Sequence, residues 1–181
     1  DACWSHEDKD GLQHAAHNGA VLQAFGDMLK EFVFSIALDM SKWFHRMFYH
    51  AMELWTMGAV IPDAATGALR FAIEQVMTMG ATPASQVAQR FANAMIQRVG
   101  ARMEELELLH RASHPLPEAV RRALEARAAL PADNCGPQGR LWDAMMYTDD
   151  AHASCCGAAR TVRFLRAFFD VAGPTALRTP L

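Results

Sequence analysis

The sequence predicts an all-α protein: a single-domain helical bundle or orthogonal helical array of about five to seven helices around a long central helix at about 27–57. Three observations predict it. Apolar residues recur at steps of three and four over long stretches. Proline and glycine fall where helices would start and stop. No run of alternating residues demands a strand.

The 181 residues are 51% hydrophobic and 20% charged, the balance of a folded globule rather than a disordered tail. Residues 1–10 read as an irregular N-terminal segment, 11–173 as the helical domain and 174–181 as an extended tail. A weak helix from Leu12 to Phe25 ends near Gly26. The central helix follows, with Leu29, Phe32, Val33, Ile36, Met40, Trp43, Phe44, Met47, Ala51 and Leu54 along one row. Phe34, Leu38, Phe48, Met52 and Trp55 flank that row, and only one narrow row is polar: Glu31, Ser35, Asp39, Lys42, Arg46, His50 and Glu53. A helix so apolar must be covered on most sides. Gly58 stops it, and Asp63 is the N-cap of a helix reaching about Met79.

Thr82 and Pro83 open the next helix, which runs to about Ala112. Its stripe is Val87, Phe91, Met95, Val99, Met103, Leu106 and His110. Pro115 and Pro117 introduce a helix from Glu118 to Leu130, and Pro131 to Gly139 reads as a turn-rich loop. Leu141 to Tyr147 forms a short helix, and Asp149 or Asp150 caps the last one, to Val171. The core face of that last helix is Cys155, Ala158, Val162, Leu165 and Phe169.

Two helical pairs have metal-ligand spacing, His50 with Glu53 and Glu107 with His110. Only the second has the order that di-metal bundles use, and their positions on opposite kinds of face favour a surface pair and a core histidine instead. No metal site and no cofactor is expected. Cys155 reads as a small core residue, while Cys3, Cys135 and Cys156 are the cysteines open to a disulfide. Arg160, Arg163 and Arg166 recur along the last helix and suit either a solvated face or an anionic partner.

A net charge of −3 argues against nucleic-acid binding. The stretch from Phe32 to Ile61 is interrupted by Asp39, Lys42, Arg46 and Glu53, so it does not read as a membrane span. The chain begins at Asp1, which reads as a fragment or a leader-processed product, with an organelle (the mitochondrion) favoured over secretion. The crowding of Trp43, Phe44, Met47, Phe48 and Trp55 on one helix predicts an interface with another protein. The sequence therefore favours a non-catalytic helical accessory subunit that packs through an apolar helix into a larger assembly, such as an organellar membrane complex. Its partners are other protein subunits, with membrane-protein or anionic-lipid contact allowed. The alternatives are a secreted, cytokine-like helical ligand with a disulfide, and a helical-bundle enzyme that binds a metal or a hydrophobic ligand.

Overall fold

A computed structural model of the chain describes residues 6–40, 43, 58–73, 76, 84–130 and 139–173. The described residues form four helices and five strands, so the protein is mixed α/β and not an all-α bundle. In chain order the elements are α1 (His6–Leu29), β1 (Val33–Asp39), β2 (Gly58–Pro62), β3 (Leu69–Ile73), α2 (Ala84–Ser113), α3 (Glu118–Ala128), β4 (Trp142–Tyr147), β5 (Asp150–Cys156) and α4 (Ala158–Ala172).

The central helix expected at about 27–57 does not exist as one element. Helix α1 starts inside the segment expected to be irregular and passes Gly26 to end at Leu29. Lys30 sits there in the left-handed region at φ 56. Its N–H donates to the Asp27 carbonyl and that of Glu31 to the Gly26 carbonyl, which together cap the last turn. The chain then extends into β1. The segment Phe34-Ser35-Ile36-Ala37-Leu38-Asp39-Met40 alternates strictly between large apolar and small or polar residues. The same apolar residues also fit four-residue steps, so both periods match, and the strand period wins because β5 pairs with it. Residues 41–42 and 44–57 lie outside the described residues.

Strand β4 replaces the helix expected at Leu141–Tyr147, and β5 replaces the first turns of the last expected helix, which begins only at Ala158 as α4. The two strands form a hairpin whose loop is only Thr148 and Asp149. Thr148 takes φ 48, a costly value for a β-branched residue. The Gln89 side chain on α2 holds that loop: its Oε1 accepts from the Thr148 N–H and its Nε2 donates to the Met146 carbonyl, both at 2.9 Å.

The three-stranded sheet has the order β1-β5-β4, entirely antiparallel. Register aligns rows across it: Ile36, Ala153 and Ala144 in one, Leu38, Ala151 and Met146 in the next. This face joins the main core, which α2 supplies with Ala88, Ala92, Val99, Met103 and Leu106, and α4 with Phe164, Ala167 and Phe168. Small residues at Ala151 and Ala153 leave room for the aromatic rings. Trp142, Phe164 and Phe168 run as a tilted series with centroids 6.2 and 6.4 Å apart. Met40 and Trp43 also belong to this core, so Trp43 is buried rather than offered as an interface.

The core face of α4 is therefore Phe164, Ala167 and Phe168, while Val162 and Phe169 are exposed. The expected face was out of phase because it was set by Cys155, which belongs to a strand. The opposite face of the sheet is covered only at one end. There Leu22 and Phe25 of α1, Val120 and Leu124 of α3, Leu141 and Cys156 form a second, smaller core. The rest of that face, including Ala37, Met145, Tyr147 and His152, is open.

Two stability changes follow. Phe168→Ala empties the centre of the main core and should lower the unfolding free energy by about 3–5 kcal/mol in urea titration. Lys30→Gly relieves the left-handed residue at the α1 terminus and should raise stability by up to about 1 kcal/mol, read in the same titration.

Candidate functional site

Two features stand apart from ordinary core and surface. The first is a buried charge centre. Glu107 sits on the core-facing side of α2, four residues after Met103, and is only 3% exposed. One of its oxygens accepts from Arg160 Nε at 3.0 Å and the other from Arg163 Nε at 2.7 Å, joining α2 to α4. Arg160 is also buried. Its Nη1 donates to the Cys156 carbonyl and lies 3.7 Å from Glu31. Arg111 approaches Glu107 from the same helix at 3.7 Å.

Burial pushes the Glu107 carboxyl upward, but the charge and hydrogen bonds of Arg160 and Arg163 outweigh it and hold the group below its ordinary value. Of the three arginines expected to face solvent or an anionic partner, Arg160 and Arg163 are thus spent inside the fold, and only Arg166 is exposed.

His110 follows one turn after Glu107 and stacks on His114, with ring centroids 4.5 Å apart. Partial burial and the charge of Arg163 hold His110 below the ordinary histidine value. Glu107 and His110 do not act as a pair of ligands, because both Glu107 oxygens are taken by guanidinium groups. Among the described residues no three His, Cys, Asp or Glu side chains converge as a metal site. His50 and Glu53 lie outside the described residues.

Cys155 and Cys156 are free and buried, one on each face of the sheet. Burial pushes their thiols up to about 12 and about 11, so neither is a nucleophile near neutral pH. The Cys156 thiol donates to the Leu22 carbonyl at 3.2 Å. Cys3 and Cys135 lie outside the described residues.

The second feature is the β2–β3 hairpin. Its loop is built by Asp63, whose carboxylate accepts from the N–H groups of Ala65 and Thr66. These bonds hold the Asp63 carboxyl below its ordinary value. Asp63 also pairs with Arg70 across the loop. The expected N-cap chemistry is present, but it closes a single turn, because Gly67 at φ 69 turns the chain back into β3.

Register sets Val60 opposite Phe71 and Pro62 opposite Leu69. The Phe71 ring lies over Gly58, which has no Cβ to displace it. Val60, Leu69, Phe71 and Ile73 thus share one hairpin face, and all are exposed, Leu69 by 74% and Phe71 by 66%. Among the described residues, no hairpin residue belongs to either core cluster. Sequence reasoning missed this surface because it read Gly58 as a helix stop and Leu69 to Ile73 as part of the next helix. The signal lay in the pairing of Val60 and Ile61 with Leu69 to Ile73 around a six-residue turn. Of the residues expected to form an interface, Phe44, Met47, Phe48 and Trp55 lie outside the described residues.

The chain matches no protein-family model and no curated protein sequence.

Glu107→Gln leaves three guanidinium groups around a neutral amide and should cost about 3–5 kcal/mol at neutral pH. Because the folded value of Glu107 is depressed, its contribution is present above the ordinary carboxylate range and is lost as pH falls through the folded value. The gap between wild type and Glu107→Gln, measured by urea titration at several pH values, should therefore close in acid. His110 is also depressed, so its contribution begins to fall as pH drops below about 6.5. His110→Gln should flatten that part of the stability profile.

Proposed function

We propose that the chain is a non-catalytic subunit of a larger protein assembly and docks through the apolar face of the β2–β3 hairpin. The observation that supports this reading is the face itself: Val60, Leu69, Phe71 and Ile73 exposed together on a hairpin that contributes to neither core. A two-stranded hairpin is marginal alone in water, and exposed apolar surface of this kind marks an interaction site. Fully burying each such side chain is worth about 1.5–3 kcal/mol before the costs of association. Both outer edges of the hairpin lack a further described strand, so a partner strand can also add to one of them. Pro62 blunts the β2 edge and leaves β3 the better acceptor.

This reading puts the interface on a hairpin, while the expected interface residues Phe44, Met47, Phe48 and Trp55 lie outside the described residues. The partner is a protein. Among the described residues no helix is long and apolar enough to cross a membrane.

Site-specific photocrosslinking in cells of the source organism tests this reading. A benzophenone side chain at position 71 should give one dominant protein adduct, and the same probe at exposed Arg98 should not. Leu69→Glu should abolish the adduct and change the stability of the isolated chain by no more than about 0.5 kcal/mol. Adducts to lipid alone, or equal labelling at both positions, would contradict the proposal.

A further inference from the structure

We propose that the cleft between α2, α3 and the Gly139–Trp142 segment binds a small organic monocarboxylate with an apolar body, and that Arg111 receives the carboxylate. Two adjoining cavities of about 530 and 300 Å³ share Arg111, Ala128 and Gly139 as walls. Those volumes match small-molecule sites.

Charge balance identifies the ligand class. The charge centre beside the cleft sets the buried Glu107 carboxylate and the exposed Glu31 carboxylate against the guanidinium groups of Arg160, Arg163 and Arg111. Two negative charges meet three positive ones, so one positive charge is left over. Geometry assigns it to Arg111. Arg160 and Arg163 make close hydrogen bonds to Glu107, whereas Arg111 stands 3.7 Å away. The Arg111 Nε is sealed from solvent and has no acceptor among the described residues, although a third of the side chain is exposed. A guanidinium left short of partners in a partly buried position is costly, and a carboxylate is the planar anion that its fork fits.

The other charges of the cleft do not repel such a ligand, because they are already matched. Glu104 pairs with Arg140 at 2.7 Å. Glu118 and Glu125 pair with Arg121, and Glu118 also with Arg122. A single surplus charge suits a monocarboxylate better than a phosphate dianion. Leu108, Leu116, Leu124 and Trp142 supply apolar wall for the rest of the ligand. Arg140 lies over the Trp142 ring at 5.1 Å and closes one side.

The test is calorimetric titration of the full chain with 4-phenylbutyrate and octanoate, and with their neutral amides as controls. At least one acid should bind with a stoichiometry of one, and its amide should bind about tenfold more weakly or not at all. Arg111→Gln should reduce acid binding to the level of the amide, and Arg166→Gln should leave it unchanged. The comparison of acid with amide on the unaltered protein decides the matter even if Arg111→Gln unfolds. Equal binding of acid and amide, unchanged binding in a folded Arg111→Gln protein, or no binding of either acid would overturn the proposal.

Discussion

The shared carboxylate of Glu107 is the contact on which the arrangement of the body depends. It lies where α2 crosses α4, and both of its oxygens are committed to α4 through Arg160 and Arg163. Arg160 reaches in turn to the Cys156 carbonyl at the end of β5 and toward Glu31 in the link between α1 and β1. One carboxylate thus links both core helices to the sheet at the point where β5 gives way to α4. That junction is tight: Gly157 takes φ 86 and lies so close to the Glu31 side chain that a Cβ there would collide with it. Its N–H donates to the Phe32 carbonyl. Moving α4 would break an ion pair and a strand connection together, and a buried charge left without its partner costs far more than the pair contributes.

The sheet around that junction works because its centre is small. Ala151, Ala153 and Cys155 on β5 admit Phe164 and Phe168 from α4 and Met103 from α2. The two faces are unequal. One is covered by α2 and α4 along most of its length, with Phe34 left exposed at its edge, and the other is covered only where α1 and α3 meet Cys156 and Val33.

Helices α2 and α3 were legible in the sequence because proline punctuation and three- and four-residue apolar steps agree there with the tertiary environment. The α2 stripe holds at Met95, Val99, Met103 and Leu106, although Phe91 is exposed. Strand β1 was not legible because its apolar residues satisfy two periods at once, and pairing with β5 decides between them. Strand β5 alternates Asp150-Ala151-His152-Ala153-Ser154-Cys155, but its inward residues are alanines, which carry little strand preference. The turn before it, Thr148-Asp149, lacks the glycine or asparagine that announces a hairpin, since Gln89 enforces it from 59 residues away. The charge centre was half legible. Glu107, Arg160 and Arg163 each stood out, the first for a metal-ligand spacing set aside in favour of a core histidine and the others as cations for solvent or an anionic partner. Only the antiparallel approach of α2 and α4 makes them one site.

The hairpin obeys a different logic from the body, and that difference bears on function. Its loop is over-determined: the Asp63 carboxylate accepts two backbone N–H groups, the Asp63 N–H and carbonyl bond to Ala68 and Gly67, and Arg70 closes the outside. Val60 and Phe71 face each other, the cross-strand pairing of a β-branched with an aromatic residue that stabilises such ribbons. These devices shape an element that joins neither core among the described residues. Exposed apolar strands are an aggregation liability that proteins ordinarily blunt with charge. Here the apolar face is kept and its conformation is fixed beforehand. A preformed surface loses little freedom when it is covered, so more of the burial energy remains as affinity. Glu107 and the sheet hold the body together, and the proposed docking rests on the hairpin being shaped by its own loop and cross-strand pairs.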